Sequence, residues 1–235
     1  MPERFENRIF YGLRSNGDAV ITDVQLVDCQ FQNCWLSASG DWRRRPRIER
    51  AEFVRCRGLS SSLDSAIFRE VTIDGWSGNN LTIFWGALFD RVTLSGALGA
   101  VKINTMYAPE SWRQDIQDGY DADRAAFYRD VDWALDIRKA RFTSFDYRGI
   151  PARLIRRDPA TQPLFLRSTA AGFDWEKEAK ALQWDLGATL IQWMSAAVPE
   201  DDLVFAVPMA AKRPKRDQML ADIERLRQIG FAEAE

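Results

Sequence analysis

The chain has no histidine. That absence removes histidine bases, Ser-His-Asp nucleophile activation and histidine metal ligands together. Cysteine is scarce: Cys29, Cys34 and Cys56 are all there is. An odd count without a CxxC spacing argues against a disulfide framework and against a zinc site. No apolar run approaches the ~20 residues of a membrane span, so no membrane partner is expected. The opening segment, MPERFENRIFYG, is charged and lacks the apolar stretch of a signal peptide; the expected location is cytoplasmic. Neither sign of charge prevails, with a net charge of −2, and acids and bases nearly balance within residues 19–106. There is no phosphate-cradling glycine loop, no dinucleotide fingerprint, no nucleophile elbow and no kinase set. The expectation is a protein that is not an enzyme, with no cofactor and no metal.

What the sequence does have is an apolar residue at every fifth position. Ile21, Leu26, Phe31 and Leu36 form one run. Phe53, Gly58, Leu63, Phe68, Ile73, Gly78 and Ile83 form a longer one. Two places before each member of the first run stands a small or medium apolar residue, Ala19, Val24, Cys29 or Cys34, and at the same offset in the second run stand Ala51, Cys56, Ser61, Ala66, Val71, Trp76 and Leu81. A helix repeats every 3.6 residues and a strand every 2, so neither yields five. A fixed short period points to repeated structure in which the chain turns a corner every five residues and sends one large and one small side chain inward. The three cysteines then read as small buried hydrophobes.

This pattern resembles the pentapeptide-repeat family over residues 19–103 and again over 135–147. The resemblance implies a right-handed quadrilateral β-helix, a solenoid with twenty residues per coil. Phe53 would then lie over Ile73, Leu63 over Ile83 and Gly58 over Gly78. The step lengthens to six between Ile83 and Phe89, then returns to five at Leu94 and Gly99. The column Gly58–Gly78–Gly99 marks a place where an inward side chain does not fit and where Trp76, with its stack mates Cys56 and Ala97, fills the volume; glycines that simply mark turns are the alternative. The resemblance also brings a functional analogy, an immunity or antagonist role in a bacterial conflict system, and a rival to it, because some relatives mimic DNA.

The fold expected is mainly β with helical additions. Residues 1–150 form the repeat-type unit, with a projecting loop at 37–50 and an inserted helical segment at 109–134. Residues 151–235 form a linker and a C-terminal helical region packed as a cap. Within the insertion, Pro109, Glu110 and Ser111 open a short helix. Asp121 or Asp123 caps a second, with Phe127, Val131 and Leu135 on its apolar side. The five-step returns at Leu135–Ile137, Ala140–Phe142 and Phe145–Tyr147. Over 173–198 a single helix carries the stripe Trp175, Ala179, Leu182, Leu186, Leu190, Trp193 and Ala197. Pro199 and Asp201–Asp202 end that region. KRPKR, Lys212–Arg216, is a basic linker. Asp217 caps a last helix with Met219, Ile223, Leu226 and Ile229 on its face and Gly230 at its C-cap.

Few residues carry chemistry. Arg43, Arg44, Arg45 and Arg47 cluster around Pro46 and are the candidate partner-binding residues, suited to an acidic partner or a phosphate; a solvated loop is the plainer reading. Lys212, Arg213, Lys215 and Arg216 divide the same way. The pairs Asp121/Asp123 and Asp130/Asp132 have the residue type for a metal or for acid–base work, but on a helix residues two apart diverge by roughly 200°. Trp112, Trp133, Trp175, Trp184 and Trp193 either cement helices to a core or mark an interface. The function expected is non-enzymatic protein binding. The partner is another protein, nucleic acid is disfavoured by the charge balance, and a homo-oligomer would form through the C-terminal helices. Two alternatives stay open: a nucleic-acid-mimicking regulator of a DNA-binding enzyme, which needs a contiguous acidic face, and a carboxylate-dependent enzyme or effector, which needs carboxylates converging in 109–139.

Overall fold

A chain that turns sharply every five residues needs, at each turn, a residue that accepts positive φ. In the computed structural model these turn residues are Asp18, Asp23, Asp28 and Asn33, then Arg50, Arg55, Ser60, Ser65, Glu70 and Gly75, then Gly86, Arg91 and Gly96, all with φ between 48° and 75°. From Asp23 onward each follows an inward apolar position by two places. Asp, Asn and Gly tolerate this region; Arg and Glu rarely enter it, at a cost of about 1–2 kcal/mol per residue. Hydrogen bonds to the neighbouring chain segment offset it. The Asp28 N–H donates to Val54 O at 2.9 Å, Glu70 N–H to Asp90 O at 2.9 Å and Arg91 N–H to Trp133 O at 3.0 Å.

The structure describes residues 1–37, 40–78, 81–107, 113–170, 172–195 and 202–233, without the side chains of Asn16, Leu36, Ser37 and Trp175. The strands before the first helix are β1 (Glu3–Glu6), β2 (Ile9–Tyr11), β3 (Arg14–Asn16), β4 (Val20–Val27), β5 (Gln30–Gln32), β6 (Trp35–Ser37), β7 (Arg47–Leu59), β8 (Ser62–Leu63), β9 (Ile67–Arg69), β10 (Thr72–Ser77), β11 (Thr82–Trp85), β12 (Leu88–Asp90) and β13 (Val92–Asn104). Helix α1 (Gln114–Phe127) follows, then β14 (Leu135–Tyr147) and β15 (Ile155–Arg156). The C-terminal part holds β16 (Leu164–Phe165), α2 (Arg167–Ala170), α3 (Trp175–Lys180), α4 (Trp184–Met194), β17 (Leu203–Val204) and α5 (Arg213–Gln228).

These strands correct the expected fold class. They form one 12-stranded parallel sheet with the order β1-β4-β7-β10-β13-β14-β15, a three-stranded sheet β3-β6-β8 and a two-stranded sheet β16-β17. With the helices this is an α/β arrangement rather than a quadrilateral β-helix. The long strands are part of the reason. β7, β13 and β14 each run for 13 residues, so pairing continues through the turns instead of stopping at each one. The spacing between paired residues is not a constant twenty either. Phe53 pairs with Ile73, but Leu26 pairs with Phe53 across the 37–50 segment, and Val92 with Leu135 across α1.

The inward register matches the sequence at Phe53, Phe68, Ile73, Phe89 and Leu94. Ile73 pairs with Phe53 on one side and Leu94 on the other, and Phe68 with Ile48 and Phe89. Phe68 is fully buried, its ring stacked on Phe89 at 5.4 Å and edge-on to Phe84 at 5.6 Å. The extra residue falls earlier than expected: Phe84, not Ile83, takes the buried position, and Phe89 follows five residues on. The glycine column behaves as expected at Gly58. A Cβ on Gly58 would stand 2.7 Å from the Trp76 ring, and Trp76 pairs with Cys56 in the next strand. At Gly99 a Cβ would meet nothing within 4 Å, so no ring demands that glycine.

The helical readings need more correction. Pro109, Glu110, Ser111 and Trp112 lie outside the described residues. Asp121 and Asp123 sit inside α1 rather than capping a helix; α1 begins after Arg113 and buries Gln117 and Tyr120. Leu135 opens β14, whose buried Leu135, Ile137, Ala140, Phe142 and Tyr147 restore the five-step. The 173–198 helix is two helices. Gln183 is extended (ψ 135°), and its side chain accepts from the N–H groups of Asp185 and Leu186 to cap α4. Gly187 lets the two pack, since a Cβ there would overlap the Ala179 carbonyl oxygen. Ala197, Pro199 and Asp201 lie outside the described residues. The KRPKR segment is helical from Arg213, because Pro214 with its preset φ starts α5 ahead of Asp217. Gly230 (φ 77°) comes one place after the C-cap Ile229.

The C-terminal helices are not packed as a cap on the sheet. Ala179, Leu182, Leu186, Leu190 and Trp193 bury themselves with Met219, Ile223, Leu226 and Phe231 in a core of their own. The main core reaches this region at Val204 and Ala206. There the Val204 N–H donates to the Tyr147 hydroxyl at 2.9 Å, and the Gln162 amide donates to Ile137 O at 2.9 Å. Among the described residues no helix is long and apolar enough to cross a membrane.

Candidate functional site

The four candidate arginines do not act together. A short 3₁₀ turn, Trp42–Arg44, is capped by the Asp41 carboxylate, which accepts from the Arg43 N–H. This turn sends successive arginines in different directions. Arg43 lies over the Trp42 ring at 4.3 Å, exposed. Arg44 reaches Asp18 at 2.6 Å. Arg47 starts β7 with its side chain in solvent.

Arg45 turns inward, and its side chain is 3% exposed. Its Nε donates to the Asp123 carboxylate at 2.7 Å. Its Nη1 donates to Ser65 O at 3.0 Å and Gly86 O at 2.6 Å. The guanidinium stacks on Tyr120 at 4.3 Å. Burial pulls its pKa down, and Asp123 opposes that. Ser65 and Gly86 are both positive-φ turn residues, so one arginine ties two turns to α1. Around it Tyr120 stacks on Tyr107 at 5.1 Å, and Gly119 leaves room for the Trp42 ring. This cluster is a structural clasp.

The carboxylate pairs do not converge either. Asp121 accepts from Arg124 and Gln117, each at 2.8 Å, while Asp123 accepts from Arg45. Asp132 is exposed, 3.9 Å from Arg156. Among the described residues no group of three or more Cys, Asp or Glu side chains is placed to hold a metal ion. Of the tryptophans outside the sheet, Trp193 is buried, whereas Trp184 is 77% exposed.

The cysteines occupy the small inward position, as the spacing predicts, and all three thiols are free and buried. Each donates to a carbonyl on the adjacent strand: Cys29 to Phe5 O, Cys34 to Phe10 O and Cys56 to Leu26 O, at 3.3–3.6 Å. Ser61 fills the same position and donates to Phe31 O at 3.0 Å. Burial pushes the Cys56 thiol up to about 11, which keeps it protonated and unreactive. Labelling by a thiol reagent is therefore expected to be slow in the folded protein and complete after denaturation; fast labelling of two or more native thiols would contradict the burial.

A surface that the sequence did not single out lies at the N-terminal edge. Among the described residues β1 pairs with β4 alone, β2 with β5 alone and β3 with β6 alone. Ile9, Tyr11 and Leu13 are 50–70% exposed on and beside β2. Val20 and Trp35, also about half exposed, stand on the next strands in, and Arg14 lies over the Trp35 ring at 4.5 Å. Spacing alone hides this edge, because Ile9 and Tyr11 stand ten residues before Ala19 and Ile21 and so share the ladder's register.

The turns carry charge in pairs. Asp23 accepts from Arg50 at 2.7 Å, and Arg50 together with Thr22 holds the Asp23 carboxyl down to about 2. Asp28 accepts from Arg55 and Glu70 from Arg91, at 2.6–2.8 Å. Acid on one strand meets base on the next, so these columns are of mixed sign.

No protein-family model and no curated protein matches the chain. Among solved structures it is similar to QnrB1, a plasmid-mediated fluoroquinolone resistance protein, at 12% identity over 67% of this chain and 92% of that one, with a TM-score of 0.12. The resemblance seen in the five-residue spacing thus has one weak, low-identity likeness to a pentapeptide-repeat protein beside it, and a likeness of that size carries no argument about fold or function.

Proposed function

We propose that the protein is a non-enzymatic binding protein that recognises another protein through its N-terminal sheet edge. One observation supports this reading: the exposed Ile9, Tyr11 and Leu13 lie on and beside strands that, among the described residues, have no neighbouring strand on their outer side. Unpaired strand edges are normally guarded by charge, proline or a covering element. β1 carries Glu3, Arg4 and Glu6, but β2 reads Ile-Phe-Tyr. An extended segment of a partner added beside β2 would gain backbone hydrogen bonds there, with Ile9 and Tyr11 supplying apolar contact. The arginine loop is a weaker candidate, because Arg45 is committed to the interior and Arg44 to Asp18.

The rivals have less behind them. A mimic of nucleic acid needs a dense acidic face, and the turn carboxylates Asp23, Asp28 and Glu70 are each matched by an arginine. A carboxylate enzyme needs converging acids, and Asp121 and Asp123 are both engaged by cations. An immunity or antagonist role fits a binding protein of this kind and follows from the family analogy alone. The test compares three immobilised proteins for capture from a lysate of the native host: wild type, Ile9→Lys/Tyr11→Lys, and Arg43→Ala/Arg47→Ala. All four positions are exposed, so the variants should fold with stability changed by about 0.5 kcal/mol or less. One protein retained in stoichiometric amount by the wild type and the arginine variant, and lost by the Ile9/Tyr11 variant, is the expected result. Equal retention by all three, or loss confined to the arginine variant, would refute the edge as the binding surface.

A further inference from the structure

We infer that the main core contains a binding site for a small uncharged apolar molecule, about the size of one aromatic ring. Inside the sheet lies a cavity of about 130 Å³. Phe31, Ile48, Phe53, Phe68, Ile73 and Trp76 are among the large side chains of its wall. The void has a cause in the sequence. Gly58 and Gly78 also line it, and these are two ladder positions that send no side chain inward. The Trp76 ring takes up the space over Gly58 but does not fill the rest.

The wall of the cavity is mainly apolar. A buried water needs two to four polar partners. Cys34, Ser61 and Thr82 are the wall residues with a thiol or hydroxyl. The hydrogens of Cys34 and Ser61 are already given to backbone carbonyls, Cys34 to Phe10 and Gln32, and Ser61 to Phe31 and Leu59, which leaves the Thr82 hydroxyl, beside Gly78, as the side-chain oxygen open to a water. The Ser61 oxygen also accepts from the Cys34 N–H at 3.1 Å. An apolar cavity of roughly 150 Å³ lined by Leu, Ile and Phe stays empty of water and takes up benzene or xenon. The present cavity has that size and chemistry. A charged ligand would lose its hydration and meet no opposite charge among the wall residues.

Entry is short. Leu13 and Leu81 form part of the wall, and they are 50% and 44% exposed. Side chains that exposed change rotamer on the ps–ns timescale, so a small molecule passes without unfolding the sheet. Apart from Leu13, the wall shares no residue with the edge strip proposed to bind a partner.

Benzene is the probe. Full-length protein is titrated with it by calorimetry, and its thermal midpoint is followed with and without a near-saturating concentration. Wild type should bind one equivalent and melt about 2–4 °C higher. Ile73→Phe and Ile48→Phe put a larger side chain into the void and should lose both the binding and the shift. Xenon NMR on the wild type provides a second readout that needs no variant: a bound xenon signal with cross-relaxation to the Ile48 and Ile73 methyl groups is expected. No benzene binding by the wild type, an equal shift in folded filled variants, or xenon with no contact to those methyl groups would each overturn the inference.

Discussion

Replacing Arg45 by alanine is expected to cost about 3–5 kcal/mol of stability, the range found when one member of a buried ion pair is removed. The side chain is 3% exposed and makes three hydrogen bonds, to the Asp123 carboxylate and to the carbonyls of Ser65 and Gly86. Without it the carbonyls of Ser65 and Gly86 lose their donor, and each unsatisfied buried acceptor costs about 1–3 kcal/mol. Asp123 is 26% exposed and regains water, which places the expected loss toward the lower end of the range. Arg45→Lys should recover little, because one ammonium cannot span a carboxylate and two carbonyls in the guanidinium's fixed fork. Arg43→Ala is the control: Arg43 is largely exposed, beside Asp41 at 3.6 Å, and its loss should change stability by about 0.5 kcal/mol or less. Urea denaturation of the three variants against the wild type measures all of this. Indistinguishable midpoints for Arg45→Ala and Arg43→Ala would mean that the clasp contributes nothing.

Nothing local in the sequence distinguishes Arg45 from its neighbours. The decisive contact lies with Asp123, 78 residues away, and becomes visible only when α1 is in place. The inward ladder is different in kind. Each of its positions is set by the same local rule, so Phe53, Ile73 and Leu94 could be placed in register from spacing alone. The rule failed where the spacing slipped: Ile83 and Phe84 are both apolar, and only the turn at Gly86, two residues after Phe84, shows which one points inward. Positive φ at Arg50, Arg55, Glu70 and Arg91 was hidden for a related reason, because these residue types seldom adopt it. The fold class was beyond the ladder's reach. A period of five fixes which side chains are buried but not how the strands join into sheets, and the long β7, β13 and β14 with their uneven offsets are a global outcome. The C-terminal stripe is buried at its described positions, Ala179, Leu182, Leu186, Leu190 and Trp193, but against a partner other than the one expected. Amphipathic spacing states that a face must be covered, and it does not say by what.

The largest effect expected in the molecule follows from an aspartate at position 68. Phe68 is fully buried, between Ile48 and Phe89 in the register and against the Phe84 ring. Removing the ring alone, in Phe68→Ala, should cost about 3–5 kcal/mol through lost transfer energy and a new void. The void would join the existing cavity, whose wall Phe68 shares, and that shared wall sets where in the range the value falls. If the surroundings relax into the enlarged space the cost is at the low end; if they stay rigid it is at the high end. Phe68→Asp adds the burial of a carboxylate with no cation named among these neighbours, a further penalty of several kcal/mol. Against a total stability of about 5–15 kcal/mol for a domain, the sum leaves little or nothing folded at neutral pH. Circular dichroism and thermal melting measure the result: the strand signal and the cooperative transition should both be lost in Phe68→Asp and kept, at a lower midpoint, in Phe68→Ala. The pH dependence has a definite sign. A buried carboxyl without a partner has its pKa raised above that of the unfolded chain, so lowering the pH favours the neutral acid and should restore part of the folded population. A Phe68→Asp variant that melts like the wild type at pH 7 would show that position 68 is not in the core, and with it the five-residue rule that put it there would fail.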